Sequence, residues 1–163
     1  MEKLLNDILN TFDNTHSLLG SEPLFIGTMQ LGAKDKNGAQ EIIDGQQRLS
    51  TLLLTLQVLK LMFPSNKKLT EFRFDWLESR VSSGEQQKKL QSVLDLKDIS
   101  EIESNTEIKG ETNRYEQNAR LILAILKVYF SEDENQEKGN PLVGYLLHNL
   151  YFVVIEKKYK FLH

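Results

Sequence analysis

With 163 residues, 40% hydrophobic and 26% charged, the chain is long enough to bury a core and too apolar to be disordered throughout. A formal net charge of -3 gives no basic footprint, which argues against non-specific duplex binding by this chain alone. The lack of cysteine excludes disulfides and thiolate metal sites, and no apolar run approaches the roughly 18 residues of a membrane span.

Met1 to Asp7 lacks a basic stretch followed by an apolar signal core, so a cytoplasmic protein with no membrane partner is expected. Residues 1–20 read as an amphipathic helix, with Leu4, Leu5, Ile8, Leu9 and Phe12 at helical spacing, fraying near Asn14 with Gly20 just beyond. Pro23 marks an extended entry into a strand, Leu24 to Leu31, in which Gly27 suggests a bulge or a close approach by ligand or backbone. Gly32 to Ala39 is a turn, and Gln40 to Ile43 a second short strand, together a hairpin signal. From Gly45 to about Phe63, leucines at 49, 52, 53, 54, 56, 59 and 61 with Val58 and Met62 predict a long helix buried on most sides, ended by Pro64. Polar and apolar residues alternate from Glu71 to Leu77, which predicts a strand with Phe72, Phe74 and Trp76 on one face. A polar stretch over 82–113 reads as a connection, with a short helix from Gln86 to Leu96 and a mobile loop from Asp98 to Thr112. Tyr115 to Phe130 is a helix with Leu121, Ile122, Ile125, Leu126 and Tyr129 as its core stripe. Ser131 to Lys138 is an acidic loop, Pro141 to Leu150 a helix and Leu150 to Ile155 a strand.

The segment Ile42-Ile43-Asp44-Gly45-Gln46-Gln47-Arg48 joins a strand to the long helix. The orphan N–H groups and dipole of a helix N-terminus favour anions there. Gly45 has no Cβ to obstruct a ligand, and Gln46 and Gln47 bring amides that donate or accept. Arg48 faces the positive end of the dipole, which is mildly unfavourable unless a bound phosphate or carboxylate pairs with it. A second reading stands beside this one. Asp44 suits an N-cap, with Gln47 completing a capping box, and Arg48 could pair with Asp44 or Glu41 and do nothing else. There is no Walker loop.

Phe25-Ile26-Gly27-Thr28 and, after a variable turn, Ile42-Ile43-Asp44-Gly45-Gln46-Gln47-Arg48-Leu49-Ser50-Thr51-Leu52 resemble the hallmark of the GmrS-type N-terminal domain family. That family occurs in GmrSD-like type IV, modification-dependent restriction enzymes and related phage-defence proteins. Ser50 stands where threonine is commoner. Leu4 to Leu9, Phe74 to Ser83 and Tyr151 to Ile155 are similar to weaker family segments. The resemblance implies a ParB/sulfiredoxin-like core with a helical extension. It also implies nucleoside-triphosphate binding and hydrolysis with Mg2+ at the Asp44–Arg48 turn, coupled to cleavage of modified DNA. In that picture Gly45 and the backbone after it cradle phosphate, with Gly27 close by, and Arg48 neutralises it. Asp44 holds the metal or orients a water, and Gln46 or Gln47 positions the attacking water. The chain lacks the family's usual Ile-Pro-x-Tyr-Gln-Arg-x-Tyr start, its Phe-Glu-x-x-Asn-x-x-Gly segment and its HNH-type nuclease domain, so a truncated chain is expected. DNA would then be reached only indirectly, through a nuclease domain or subunit.

The other candidates read as structure. His16, His148 and His163 have no metal-ligand spacing, and Glu132-Asp133-Glu134 reads as a solvated loop. Phe72, Phe74 and Trp76 read as core packing rather than a base-stacking platform. Lys67, Lys68, Lys88, Lys89, Lys157, Lys158 and Lys160 would form a phosphate track only if the fold gathers them, and the Leu49–Leu61 run is core rather than a zipper. The expectation is an α/β (α+β) fold: a small mixed sheet of about residues 24–31, 40–43, 71–77 and 150–155 on a long buried helix, with a helical extension. Its parts would be a nucleotide-binding core over 1–81, a flexible connection over 82–113, and a helical extension with a returning strand over 114–163. The alternatives are a nucleotide-sensing or subunit-interaction module without turnover, and a structural fragment.

Overall fold

The computed structural model describes residues 1–16, 22–74, 84–104 and 113–156. Gly20, the 75–83 segment with Trp76, residues 105–112, Lys157, Lys158, Lys160 and His163 lie outside the described residues. The fold is mixed, with helices α1 (Glu2–His16), α2 (Gln46–Met62), α3 (Lys67–Glu71), α4 (Glu85–Leu94), α5 (Ile99–Ser104), α6 (Arg114–Ser131) and α7 (Gly139–His148), and strands β1 (Leu24–Lys34), β2 (Gln40–Asp44) and β3 (Leu150–Glu156). No helix among the described residues is long and apolar enough to cross a membrane. The chain divides into two compact units, one from Lys3–Ser50 with Tyr145 onward, the other from Thr51–Gly144, the boundaries falling inside α2 and α7.

The first unit holds the sheet, in the order β2-β1-β3. β1 and β2 form the expected antiparallel hairpin. Its turn is set by Asp35, whose Oδ1 accepts the N–H groups of Asn37 at 2.8 Å and Ala39 at 2.9 Å, an Asx turn. β3 runs parallel to β1 on the opposite edge. Its entry is fixed where the Leu24 N–H donates to the Asn149 carbonyl at 2.8 Å. Bulges interrupt both pairings, so β1 buries Ile26, Met29 and Gly32, three apart, instead of every second residue. In α1 the apolar stripe Leu5, Ile8, Leu9 and Phe12 is buried. The Phe12 ring lies 5.4 Å from that of Tyr145, whose hydroxyl is buried with no hydrogen-bond partner among the described residues. Burial pushes the Tyr145 phenol above its ordinary range, and the negative charge of Glu22 adds to the effect.

The second unit is helical. Every residue of α2 from Leu53 to Leu59 is buried, because its leucines occupy all faces rather than one stripe. The strand expected at 71–77 does not start where the alternation placed it: Glu71 ends α3, and Asp75 to Leu77 lie outside the described residues. Asn66 caps α3 by accepting the Leu69 N–H at 3.2 Å, so the chain is helical up to Glu71. Residues 72–74 have no regular structure, and the Phe72 and Phe74 rings meet edge to face at 5.0 Å rather than lining a strand face. The α4 helix forms close to where the pattern placed it. The expected loop from Asp98 contains α5, whose capping box is explicit. Asp98 Oδ1 accepts the Ser100 N–H at 2.7 Å, and Glu101 Oε1 accepts the N–H groups of Lys97 and Asp98, each at 2.9 Å. The Ser100 hydroxyl and N–H hold the exposed Asp98 carboxyl below its usual range. Asn113 caps α6 at the Tyr115 N–H and also donates to the Lys89 carbonyl of α4 at 2.9 Å. The buried stripe of α6 is Ala119, Ile122, Leu123 and Leu126, at i, i+3, i+4 and i+7, and Leu121 is 38% exposed. The helix is thus rotated by about one position from the expected face. The acidic segment after it is a 3-10 turn, Asp133–Lys138.

Candidate functional site

The strand-to-helix turn lies in the first unit, at the end of β2. Gly45 adopts φ +96° and is buried against Met29 of β1, whose Cγ and Cα would stand 3.4 and 3.5 Å from an added Cβ. Those are tolerable contacts, so the left-handed backbone is what demands glycine here. The first helical bond runs from the Leu49 N–H to the Gly45 carbonyl at 3.0 Å, which makes Gly45 the N-cap. Asp44, which the sequence offered as the N-cap, therefore lies one residue before it. An N-cap with no side chain supplies no capping oxygen of its own.

Asp44 instead turns one carboxylate oxygen onto its neighbour, Oδ1 accepting the Gly45 N–H at 2.8 Å. The other, Oδ2, lies 3.6 Å from Arg48 Nη2, in a pair whose side chains are 58% and 32% exposed. Arg48 itself reaches back across β1. Nη2 donates to the Thr28 carbonyl at 2.7 Å and Nη1 to the Ile26 carbonyl at 3.4 Å. These carbonyls and the carboxylate offset the unfavourable placement of a cation in the first turn of α2. Gly27, between those two carbonyls, has φ +116°, and a Cβ there would stand 2.9 Å from Arg48 Cζ. The group that approaches Gly27 is thus the guanidinium of Arg48. Gln46 is exposed and its amide donates back to the Ile42 carbonyl of β2. Gln47 is exposed as well, and its carbonyl accepts the Ser50 hydroxyl at 3.0 Å.

Of the residues singled out in the sequence, Gly27, Asp44, Gly45 and Arg48 therefore meet in one cluster, with the two glutamine side chains exposed beside it. The pattern did not reveal the Ile26 and Thr28 carbonyls or the Met29 backing, since main-chain acceptors leave no residue-type signal. Gly27 was the one mark of them. No three His, Asp or Glu side chains gather as a metal-binding group among the described residues. A divalent ion at Asp44 would take its other ligands from phosphate and water, which is the usual habit of Mg2+.

A family model described as the N-terminal domain of the GmrSD restriction endonuclease matches residues 1–160. The chain belongs to this family. Membership of the GmrSD N-terminal domains sets it in the context of a restriction, and so phage-defence, system. No curated protein and no solved structure matches it.

Proposed function

We propose that the Asp44–Arg48 turn binds a nucleoside triphosphate with Mg2+, and that the chain is the nucleotide-hydrolysing regulatory part of a type IV, modification-dependent restriction system. DNA cleavage would then belong to a nuclease domain or subunit. The observation that carries this reading is the juxtaposition of three features. An exposed carboxylate at Asp44, the N-terminus of α2 starting at Gly45, and a guanidinium at Arg48 held in place by main-chain carbonyls all meet at one turn. The residue types fit the group: Asp44 would hold Mg2+, the first-turn N–H groups would face phosphate oxygens, and Arg48 would add a fixed positive charge. Mg2+ would neutralise charge on the transferring phosphoryl group. Gln46 and Gln47, exposed beside the turn, would orient water. A ParB/sulfiredoxin-like ancestry of the core is part of the same proposal.

A second reading rests on one observation. The donors of Arg48 already serve two carbonyls and a carboxylate, an arrangement that also suits a purely structural clasp or a sensing module without turnover. Phosphate release from ATP, GTP, CTP and UTP with Mg2+ separates the two. Release by the wild-type chain that is lost in Asp44→Asn supports hydrolysis. Binding without release favours sensing, and neither binding nor release leaves the clasp alone.

A further inference from the structure

β1 continues past the end of β2. Their last paired residues are Gln30 and Asp44, so the earlier part of β1 has β3 on one edge and, among the described residues, no strand on the other. Main-chain carbonyls on an open edge need donors. Arg48 supplies them at Ile26 and Thr28, 3.4 and 2.7 Å away, using two of the five N–H groups of a guanidinium. Carbonyls two residues apart on a strand face the same edge, and a planar guanidinium serves each from a separate terminal nitrogen. Only Gly27 stands between them, and a Cβ there would crowd the guanidinium carbon at 2.9 Å. The same stretch bulges against β3: Phe25 pairs with Tyr151 and Thr28 with Val153, leaving Ile26 and Gly27 of β1 opposite Phe152 alone.

We infer that Gly27 is a positioning residue for Arg48. It is the seat that lets the guanidinium take the place of a missing strand, and the guanidinium in turn ties the ligand-bearing turn to the sheet and orients Asp44. What this implies for ligand affinity rests on the nucleotide reading above; the seat itself does not. Gly27 and Arg48, 21 residues apart, therefore act as one unit.

A double-mutant cycle on thermal unfolding, read without nucleotide, tests the seat. Gly27→Ala strains the backbone in any background, but it crowds the guanidinium only when Arg48 is present. Its drop in Tm is expected to be larger in the wild-type chain than in Arg48→Ala; equal drops overturn the inference. Because Gly27→Ala could fail to fold, the wild-type chain labelled with 15N-arginine provides an independent reading. Separate, slowly exchanging Nη–H signals for Arg48 are expected, and a single averaged signal exchanging like free arginine overturns it. With Mg–ATP, Mg–GTP, Mg–CTP and Mg–UTP as probes, Gly27→Ala is expected to weaken binding at least tenfold at temperatures where it remains folded. Unchanged affinity removes the positioning role. If the wild-type chain binds no nucleotide while the cycle shows coupling, the nucleotide reading fails and the seat stands.

Discussion

Replacing Arg48 by alanine removes a set of interactions whose strength follows from their geometry. The hydrogen bond to the Thr28 carbonyl at 2.7 Å is short and charge-assisted, and such a bond contributes about 1.5–3 kcal/mol. The bond to Ile26 at 3.4 Å is near the limit of the interaction and adds only a fraction of that. The pair with Asp44, at 3.6 Å between side chains 32% and 58% exposed, contributes at most about 1 kcal/mol. Water reaching the part-buried Thr28 carbonyl would recover part of the loss. The expected cost is about 2–3 kcal/mol, or a fall in Tm of roughly 5–10 °C for a chain of this size. Thermal melts followed by circular dichroism would read it directly. In about 1 M salt the ion-pair part is screened, but the carbonyl bonds are not, so most of the loss should persist. Arg48→Lys should fall between the two, since it keeps the charge but loses the fixed fork geometry of the guanidinium. A loss below about 0.5 kcal/mol, or one that vanishes in salt, would refute the seating of the guanidinium on β1.

Three further outcomes test the rest of the structure. Leu54, fully buried in α2, should cost about 2–5 kcal/mol on truncation to alanine, seen as a large drop in Tm; a change within the range of a surface substitution would contradict the all-round burial of that helix. On α6, Leu123→Ala should be markedly destabilising while Leu121→Ala stays within about 0.5 kcal/mol, and urea unfolding of the two would show whether the core stripe lies where the structure has it. Tyr145 tests pH dependence. Its phenol titrates higher in the folded chain than in the unfolded one, so its contribution is constant below pH about 10 and lost as pH rises through the folded value. Tyr145→Phe should be neutral or mildly stabilising at pH 7, because it removes a buried hydroxyl with no hydrogen-bond partner among the described residues, and it should lessen the alkaline loss. Parallel stability curves of the two proteins above pH 10 would count against the burial of that group.

The parts of the fold legible in the sequence were those written in side-chain periodicity. The leucines of α2 filled every face and predicted a buried helix, and Leu24–Leu31, the Asp- and Gly-rich turn and Gln40–Ile43 announced a hairpin. Capping decided what periodicity did not show. Glu71 to Leu77 alternates like a strand, yet Asn66 starts a helix that takes in Glu71, and residues 72–74 have no regular structure. The α5 helix carries its signal openly, Asp98 followed three residues later by Glu101, but it is too short to show a period. On α6 the apolar residues from Leu121 to Phe130 are nearly continuous, so the pattern alone could not choose between Leu121 and Leu123 as the inward face. At the candidate site, residue types located the turn but not its inner geometry. Asp44 looked like an N-cap because glycine at the next position gives no sign that it will take the role. The attachment of Arg48 to β1 depends on main-chain carbonyls and was foreshadowed only by Gly27.

The claim that the turn holds a nucleotide is tested most directly by a thermal-shift titration of the wild-type chain and Asp44→Asn with ATP, GTP, CTP and UTP in the presence of Mg2+. The amide of asparagine can still accept the Gly45 N–H, so the substitution removes charge with little change in stability. Ligand at about a hundred times its dissociation constant stabilises the folded state by roughly 2.7 kcal/mol. The expected result is a rise of several degrees with at least one nucleotide in the wild-type chain and none in Asp44→Asn. No rise with any nucleotide, or the same rise in both proteins, would contradict a nucleotide site at this turn.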